Sequence, residues 1–557
     1  QYRTTTYCNP LNLDYTYPFH NSHLGKSYRS GADPAVVEFR GEYYMFVTRS
    51  WGYWHSKDLL NWDFITPEKW YFEGCNAPAA HNYKDSILYV CGNPSGAMSI
   101  LYTDNPKRGD WKAVPSVLHD LQDPALFIDD DERAYMYWGS SNRWPIRGKE
   151  LDMKNKFLPI AKKPDSLLFL RPDIHGRERF GENHTSDIKP FIEGAWMTKH
   201  NGKYYLQYAA PGTQFNVYGD GVYVGKSPLG PFQYAAHNPF CYKPGGFATG
   251  AGHGSTVCGP GGIYWHFGTI HLSINYKFER RLCMFPTFFD EDGVMYSDTY
   301  FGDYPHYSPD QVSRQTTSGG FRGWMLLSYG KPVKASSQLE SYPVENVTDE
   351  NLKTFWVAGK NDDKQWVEID LEEVSDVYAL QLNFFDYEET GFWGRMPNLR
   401  QRYLVEASVD GARWRVLVDY RNSFRDAPHN YIELDQPIEA RYIRYRHHYV
   451  PGKNLAMGNI RVFGLGRGKK PATVKGFTVV READERNVRI SWKAVKGAQG
   501  YNVLWGVAPD KLYSSWMVYG DNSLDLRALT VGQKYYFAIE AFNENGISQR
   551  VFLREAH

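Results

Sequence analysis

The stretch ADPAVVEFRGEYYMFV, residues 32–47, places a polar residue before two short apolar runs that are separated by a turn. Four further segments repeat its aromatic strand signature after a polar or glycine turn: 85–91, 132–138, 202–208 and 262–267. The copies are about 43 to 70 residues apart. Such uneven spacing favours β-sheet blades joined by variable loops over a strict solenoid.

One polar residue occupies the same place in all five copies, 11 residues before the matching hairpin position. These five residues are Asp33, Asn76, Asp123, Glu193 and His253. In a propeller the first strand of every blade lines the central axis, so the five side chains are expected to converge. The repeats therefore predict an all-β protein with a five-bladed β-propeller and one funnel at its axis.

Three carboxylates in one funnel repel one another and lose water, which costs stability and separates their pKa values. Glycoside hydrolysis needs such an arrangement, with one carboxyl group for the leaving group and another for water. Asp-Pro and Glu-Gly pairs are also common where a strand begins, as turn residues. Five residues in one register favour the functional interpretation over the turn interpretation.

Composition excludes several other classes. The 557 residues carry 63 basic and 63 acidic side chains, so the net charge is zero and argues against a nucleic-acid binder. No apolar run approaches the ~20 residues of a membrane span, and we expect no membrane insertion. Aromatic residues make up 16% of the chain, which suits sugar stacking, but composition alone favours their packing in a β core.

Residues 8–310 resemble glycoside hydrolase family 43, whose members are five-bladed propellers that act by inversion. The resemblance is most specific at Ala32-Asp33-Pro34, Gln122-Asp123-Pro124 and Ile192-Glu193-Gly194. It implies that Asp33 is the general base and Glu193 the general acid. Asp123 would be the modulator that tunes the acid's pKa and orients it.

The same resemblance implies further site residues. His253 lies in a Gly-rich segment that in many relatives sits near an axial metal, often calcium, so we expect a calcium site there and no required cofactor. Arg280, or Arg281 one residue further on, matches an arginine that often contacts substrate. Asn76 stands where the family usually has a tryptophan, which places the usual sugar preference in doubt.

Three tryptophans near the blade hairpins, Trp51, Trp54 and Trp138, could stack on the sugar, but each suits the core between blades equally well. The segment 167–186 is longer than a blade loop needs. It either walls the pocket or forms a solvated basic loop.

The C-terminal part predicts two β-sandwich domains. Residues 326–466 resemble discoidin, or F5/8 type C, domains through Gln365–Leu371 and the Ser408-Val409-Asp410-Gly411 turn before Trp414. Their aromatic loop 384–395 suits sugar binding or docking in equal measure. After a linker, residues 471–557 resemble a fibronectin type III module.

These observations predict an inverting, exo-acting glycoside hydrolase in residues 1–325, followed by the two sandwiches. It would release an α-L-arabinofuranosyl or β-D-xylosyl group from plant-type polysaccharide. The alternatives are a β-galactosidase-type hydrolase, a non-catalytic sugar-binding propeller and an interaction scaffold. We expect a monomer with a polysaccharide or oligosaccharide partner, outside the cytoplasm.

Overall fold

The computed structural model describes residues 4–19, 25–69, 74–93, 97–115, 118–119, 121–186, 188–312 and 320–553. Within these ranges the chain is almost entirely β-structure, with five blade-like sheets followed by the strands of two sandwiches. The predicted fold, a five-bladed propeller followed by two β-sandwiches, is confirmed. No helix in the described part is long and apolar enough to cross a membrane.

The first two blades form in chain order. Their strands, with the preceding β1, are β1 (Thr6–Tyr7), β2 (Ala35–Phe39), β3 (Glu42–Phe46), β4 (Tyr53–Ser56), β5 (Asp63–Ile65), β6 (Asn76–Tyr83), β7 (Ile87–Asn93), β8 (Ala97–Met98), β9 (Leu101–Thr103), β10 (Lys112–Ala113) and β11 (Leu118–His119). Blade 1 has the order β2-β3-β4-β5, and blade 2 has the order β6-β7-β9-β10. β8 pairs separately with β11.

Blades 3 to 5 repeat the same meander. Their strands are β12 (Ala125–Ile128), β13 (Ala134–Trp138), β14 (Ile146–Asp152), β15 (Leu158–Pro159), β16 (Asp165–Leu168), β17 (Glu193–His200), β18 (Lys203–Ala210), β19 (Gly219–Gly225), β20 (Phe232–Tyr234), β21 (Gly250–Cys258), β22 (Tyr264–His271), β23 (Arg280–Phe289) and β24 (Met295–Ser297). After them β25 (His306–Tyr307) pairs antiparallel with β1. This pairing ties the N-terminal segment to the end of the propeller.

Local sequence explains the first hairpin of the blades. Arg40 and Gly41 form a two-residue loop between β2 and β3, and both have positive φ, 55° and 77°. Asn201 and Gly202 do the same between β17 and β18, at 47° and 73°. A two-residue hairpin of this type requires positive φ at both positions, which glycine and asparagine tolerate best. The aromatic strands that follow bury both faces between neighbouring blades.

The first sandwich is built around two long strands. Its strands are β26 (Met325–Leu326), β27 (Val333–Ala335), β28 (Trp356–Val357), β29 (Trp366–Phe384), β30 (Arg402–Ser408), β31 (Arg415–Asp419), β32 (His429–Tyr449) and β33 (Ala456–Leu465). β29 and β32 pair along most of their length with register shifts that let the sheet bend over its own core.

The second sandwich has two sheets. Its strands are β34 (Thr478–Arg481), β35 (Val488–Ser491), β36 (Gly500–Gly506), β37 (Ser514–Tyr519), β38 (Ser523–Leu526), β39 (Tyr536–Asn543), β40 (Gly546–Ile547) and β41 (Val551–Leu553). β34, β35 and β38 form one sheet, and β36, β37 and β39 to β41 form the other. The short helices of the chain are α1 (Pro309–Val312) and the 3-10 turns Met153–Asn155, Gly176–Glu178, Glu182–His184, Pro260–Gly262 and Val344–Val347.

The aromatic loop 384–395 of the first sandwich packs against the propeller. Gly394 forms a two-way backbone bridge with Tyr17, at 2.7 and 3.0 Å. Trp393 meets Trp51 edge-to-face at 5.4 Å, and Arg395 donates to Asp14 Oδ2 at 2.6 Å. Of the two interpretations of this loop, sugar binding and docking, the contacts favour docking.

The segment 167–186 matches neither of its two predicted roles, because it joins the propeller to the second sandwich. Gly176 donates its backbone N–H to the Leu529 carbonyl at 2.8 Å. Arg179 donates to the Asn487 side chain at 2.5 Å, and Arg177 is buried, donating to the Gly219 carbonyl at 2.8 Å. Arg179 therefore satisfies acceptors of the second sandwich, and Arg177 satisfies a carbonyl group of the propeller.

Candidate active site

The five residues predicted to converge do so. Asp33, Asn76, Asp123, Glu193 and His253 all line one cavity of about 250 Å³ at the propeller axis. The other lining residues are Phe19, Thr48, Arg49, Ala77, Thr213, Phe278 and Arg280. Each of the five comes from the first strand of a different blade or from the residues just before it, which is why the repeat register brings them together.

A backbone feature recurs with them. Asp33, Asp123 and His253 have φ of 56°, 49° and 46°, in the left-handed region. In blades 2 and 4 the next residue takes this conformation, Ala77 at 46° and Gly194 at 68°. Such a conformation costs a non-glycine residue about 1–3 kcal/mol and tends to occur at functional sites. The strained turn aims each side chain into the axial cavity at the start of its blade.

Asp33 is held as a carboxylate. Thr48 Oγ1 donates to its Oδ2 at 2.6 Å, and Arg280 Nη1 lies 3.6 Å from its Oδ1. Burial acts to raise the pKa of Asp33, but the charges of His253 and Arg280 and the Thr48 hydrogen bond outweigh burial and hold it below its usual value. A carboxylate that stays ionised in a nearly dry pocket can accept a proton from water.

His253 lies between carboxylates. Its Nδ1 is 3.3 Å from Asp33 Oδ1 and 3.8 Å from Asp123 Oδ2. Burial acts to lower the pKa of His253, but the charges of Asp33 and Asp123 outweigh it and raise this pKa above the usual value. The imidazolium form therefore offsets part of the negative charge of the pocket.

Asp220 fixes the position of His253. The backbone N–H groups of His253 and Gly254 donate to its two carboxylate oxygens at 2.9 and 3.0 Å. His266 Nε2 lies 2.9 Å from Asp220 Oδ2, and both side chains are fully buried. Asp220 lies on β19, outside the repeated motif, so the repeat spacing carried no signal for it.

Glu193 is oriented by two hydroxyl groups. Tyr218 donates to Oε1 at 2.5 Å, and Ser140 donates to Oε2 at 3.1 Å. The carboxyl groups of Asp123 and Glu193 are neighbours, with an oxygen of each within 4.8 Å of the other. Burial raises the pKa of Asp123 well above its usual value; His253 opposes this shift, whereas the neighbouring carboxylates add to it. The pair thus keeps a proton available deep in the pocket.

The donor set around His253 does not fit calcium. The ligand atoms of Asp123, Glu193 and His253 lie within 4.8 Å of one another. Calcium takes six to eight oxygen ligands, whereas an imidazole nitrogen suits zinc, copper or iron. His253 Nδ1 already faces the Asp33 carboxylate, and its raised pKa favours a proton there. A calcium ion held through His253 is therefore not supported by these residues.

Arg280 is placed as predicted, at the wall of the cavity. It is 6% exposed, and its Nη1 donates to Thr213 Oγ1 at 3.3 Å. Its Nε has no hydrogen-bond partner among the described residues. A buried donor without a partner costs free energy, and a sugar hydroxyl in the cavity would satisfy it.

The structure corrects the prediction for the tryptophans. None of Trp51, Trp54 and Trp138 lines the cavity. Trp54 is 1% exposed and donates Nε1–H to Asp14, Trp138 packs in the core between blades 2, 3 and 4, and Trp51 contacts Trp393. Their alternative interpretation as packing residues fits these positions, because β-strand aromatics are drawn into the spaces between blades.

The aromatic rings at the cavity are Phe19 and Phe278, which sequence reasoning missed. The two rings stack at 6.1 Å, and Arg280 lies over Phe278 at 5.2 Å. Arg49 lies over Phe19 at 5.8 Å. Phe278 precedes Arg280 by two residues, a proximity that could have drawn attention to it. Phe19 comes from the segment before the first blade, outside the repeats, and nothing in the sequence marks it.

The fold and this pocket define a class: a five-bladed propeller with a triad of acidic residues at its axis. Residues 28–295 match the family model for glycosyl hydrolases family 43, and residues 332–457 match that for the F5/8 type C domain. The match to family 43 thus falls within the propeller, and the match to the F5/8 type C domain, whose name we use for it, falls within the first sandwich.

Similar proteins share parts of this chain. A β-xylosidase of Xylanibacter ruminicola is 33% identical over 20% of this chain and 39% of its own length. An arabinoxylan arabinofuranohydrolase of Bacillus subtilis strain 168 is 30% identical over 30% of this chain and 34% of its own. The matched stretch thus spans two fifths or less of these relatives. A solved glycoside hydrolase has a TM-score of 0.43 and 18% identity, covering 81% of this chain and 99% of its own.

Proposed function

We propose that the protein is an inverting, exo-acting glycoside hydrolase that removes a terminal α-L-arabinofuranosyl or β-D-xylosyl group from plant-type polysaccharide. The observation that carries the proposal is the convergence of Asp33, Asp123 and Glu193 in one axial cavity. At about 250 Å³, the cavity is below the roughly 300–1,000 Å³ of sites for drug-sized ligands. Such a space suits one sugar unit at a chain end.

In the proposed mechanism Asp33 is the general base. Its lowered pKa keeps it ionised, so it can take a proton from the water that attacks the anomeric carbon. Glu193 is the general acid that protonates the departing glycosidic oxygen, with Tyr218 and Ser140 fixing its position. Asp123 keeps a proton within the pair and orients the acid. Attack from the face opposite the leaving group inverts the anomeric centre.

Substrate contacts follow from the cavity wall. We assign Arg280 and Asn76 to the hydroxyl groups of the sugar, and Phe19 and Phe278 to its apolar face. The names of the similar proteins, β-xylosidase and arabinoxylan arabinofuranohydrolase, support a pentose as the released sugar. A β-galactosidase-type activity on the same scaffold is the alternative, because Asn76 replaces the usual tryptophan.

The remaining parts of the proposal concern the whole chain. We assign residues 1–325 to the catalytic propeller, 326–466 to the F5/8 type C domain and 471–557 to a fibronectin type III-like module. In the last module Tyr535 accepts the backbone N–H of Thr530 at 2.9 Å, which fits a tyrosine corner. We further propose a monomer that acts outside the cytoplasm on polysaccharide or oligosaccharide and requires no cofactor.

The test is a digestion panel of arabinan, arabinoxylan, arabinogalactan, xyloglucan, pectic galactan and rhamnogalacturonan. Released sugars are identified by chromatography, and the first anomer formed is read by proton NMR. We expect one monosaccharide from the wild-type chain, with inverted configuration, and none from Glu193→Gln. Release of oligosaccharides would contradict exo action. Binding without release from any substrate would favour the non-catalytic propeller.

A further inference from the structure

An exposed tryptophan lies in the loop whose first part contacts the candidate acid. Trp144 is 55% exposed, an unusual position for the largest apolar side chain. It belongs to the loop between β13 and β14. Ser141 Oγ accepts the backbone N–H groups of Arg143 and Trp144, both at 2.9 Å, so the turn that carries the ring is fixed.

This turn is joined directly to the strand of the acid. Ser141 and Ile192 exchange two backbone hydrogen bonds at 3.1 Å, and Ile192 precedes Glu193. Ser140 itself donates to Glu193. Four residues of extended chain span at most roughly 14 Å, so Trp144 lies within about that distance of Ser140. The proposed general acid faces the leaving group, and the turn that carries Trp144 is bridged to the residue before this acid, which puts the ring within reach of a leaving group that extends out of the cavity.

Two guanidinium groups flank the ring. Arg143 and Arg147 lie over Trp144 at 4.9 and 5.6 Å from its centroid. No carboxylate of the described residues lies within 4 Å of either guanidinium group. Two like charges around one ring repel each other, and an anion between them would relieve that repulsion. Arginine forks match carboxylates in geometry.

A second exposed ring extends this surface. β14 pairs antiparallel with β16, with Ile146 opposite Leu168, so the next residue, Phe169, follows on beside Pro145. Phe169 is 54% exposed. Exposed aromatic surface rimmed by charged groups marks a binding site more often than a free surface. The platform formed by Arg143, Trp144, Arg147 and Phe169 is thus apolar at its centre and cationic at its edge.

We propose that this platform binds the leaving-group portion of the substrate, and that this portion carries a uronic acid. The sugar ring would stack on Trp144 while its carboxylate pairs with Arg143 and Arg147. The inference rests on the proposed function, since it names the polymer from which the terminal sugar is released. Two observations favour a uronic acid as the bound group. The two guanidinium groups complement a carboxylate, and the loop that carries them contacts Glu193 through Ser140.

The test compares substrates that differ only in charge. Glucuronate-substituted arabinoxylan oligosaccharides and arabinan-bearing rhamnogalacturonan oligosaccharides are used in native and carboxyl-reduced form. We expect wild-type kcat/KM to favour the native form by about tenfold or more, and high salt to remove that preference. The variant R143Q/R147Q should lose most of the preference. Trp144→Ala should lower kcat/KM on both forms.

A matched control is Arg415→Gln, which removes another exposed arginine, on β31 of the F5/8 type C domain. It should keep the wild-type preference. Thermal unfolding of each variant shows whether the fold is intact. Equal kcat/KM on native and reduced substrates in the wild type, with sugar released from both, would overturn the inference while leaving the proposed function standing.

Binding separates the remaining outcomes. Glu193→Gln protein is titrated calorimetrically with the same native and reduced oligosaccharides. If no substrate releases sugar but the native form binds at least about tenfold tighter, and R143Q/R147Q on this background loses that difference, the proposed function fails and the platform stands. If the native form binds no tighter than the reduced form, the platform is wrong whatever the hydrolysis assay shows.

Discussion

The protein contains two buried clusters of charged groups, which differ in how closely their carboxylates are paired with cations. The pocket gathers Asp33, Asp123 and Glu193 with Arg49, Arg280 and His253, but among the described residues no cation lies within 4 Å of Glu193. A second cluster lies between the propeller and the F5/8 type C domain, where Lys243 and Arg461 face Asp303 and Glu350, all at most 4% exposed. The residues of the second cluster do not line the axial cavity. Each of its two carboxylates is paired with a cation.

Hydrogen bonds explain the difference. Arg461 makes a bidentate pair with Glu350 at 2.7 and 3.1 Å and donates to the Asp303 carbonyl at 2.7 Å. Burial acts to raise the pKa of Asp303, but Lys243 and Arg461 outweigh it and hold this pKa low. At Asp123 in the pocket burial dominates and raises the pKa, and it also raises the pKa of Glu350 in the second cluster, to about 6, although Glu350 has a bidentate partner. Buried charge alone therefore does not mark a site, whereas carboxylates beside a cavity that lack a closely paired cation do.

The largest expected effect is on turnover in the pocket. Glu193→Gln keeps the shape of the side chain and can accept a hydrogen bond from one of the two hydroxyl groups, Tyr218 or Ser140, but it removes the proton that the leaving group needs. We expect kcat to fall roughly 10²- to 10⁴-fold, because general acid catalysis supplies about that much. The measurement is sugar release on the substrate found in the digestion panel, with thermal unfolding as the control. Retention of a tenth of the activity would exclude Glu193 as the acid.

The next effect is on stability in the closed cluster. Arg461→Met leaves Glu350 buried without its partner, and we expect a loss of about 3–5 kcal/mol in the free energy of unfolding. Denaturant unfolding measures it. The double variant Arg461→Met with Glu350→Leu removes both partners and should lose less. An equal loss in single and double variants would show that packing, and not the unpaired charge, sets the cost.

These two clusters also show what sequence can predict. The five axial residues could be found because one register repeats in every blade, so a count of 11 residues places each side chain without knowledge of the fold's details. The hairpin turns also depend only on neighbouring residues, since Asn201 and Gly202 themselves tolerate the positive φ that the turn requires. The fold followed from these repeats.

Other residues depend on contacts between distant parts of the chain. Tyr218 and Asp220 reach the site from β19 and the loop before it, and Phe19 reaches it from a segment outside the repeats. From sequence, segment 167–186 is interpreted as a pocket wall or a solvated basic loop, because its partners, Asn487 and Leu529, lie more than 300 residues away in the sequence. No local sequence pattern shows which distant residues a side chain contacts. For the same reason the sequence could not decide whether the three tryptophans stack on sugar or pack in the protein.

A smaller effect tests how the acid is held. Tyr218→Phe removes the hydroxyl that donates to Glu193 Oε1 and leaves the ring in place. A hydrogen bond to a charged group contributes about 1.5–3 kcal/mol, so we expect kcat to fall about tenfold or more with little change in KM. Ser140→Ala, which removes the longer bond to Oε2, should cost less. A larger loss from Ser140→Ala would reverse the assignment of the main orienting group.

The smallest expected effect is on the pH dependence of stability, which should have opposite signs in the two clusters. The same substitution, aspartate to asparagine, tests it in each cluster. Asp123 has a raised pKa in the folded protein, so its contribution to stability is fully present below its unfolded pKa and is lost as pH rises through the folded value. Asp123→Asn removes that loss. We expect the variant to be more stable than the wild type near neutral pH, by about 1 kcal/mol, while sugar release falls.

Asp303→Asn should act in the opposite direction. The pKa of Asp303 is lowered by Lys243 and Arg461, so its contribution is present above the unfolded pKa and is lost as pH falls through the folded value. Unfolding of Asp303→Asn below about pH 4 and of Asp123→Asn above about pH 4, each beside the wild type, measures the two slopes. The stability of Asp123→Asn relative to the wild type should grow with pH, and that of Asp303→Asn should shrink. Slopes of the same sign would mean that the pocket is charge-matched like the interface, and the argument for a catalytic cluster would lose its electrostatic basis.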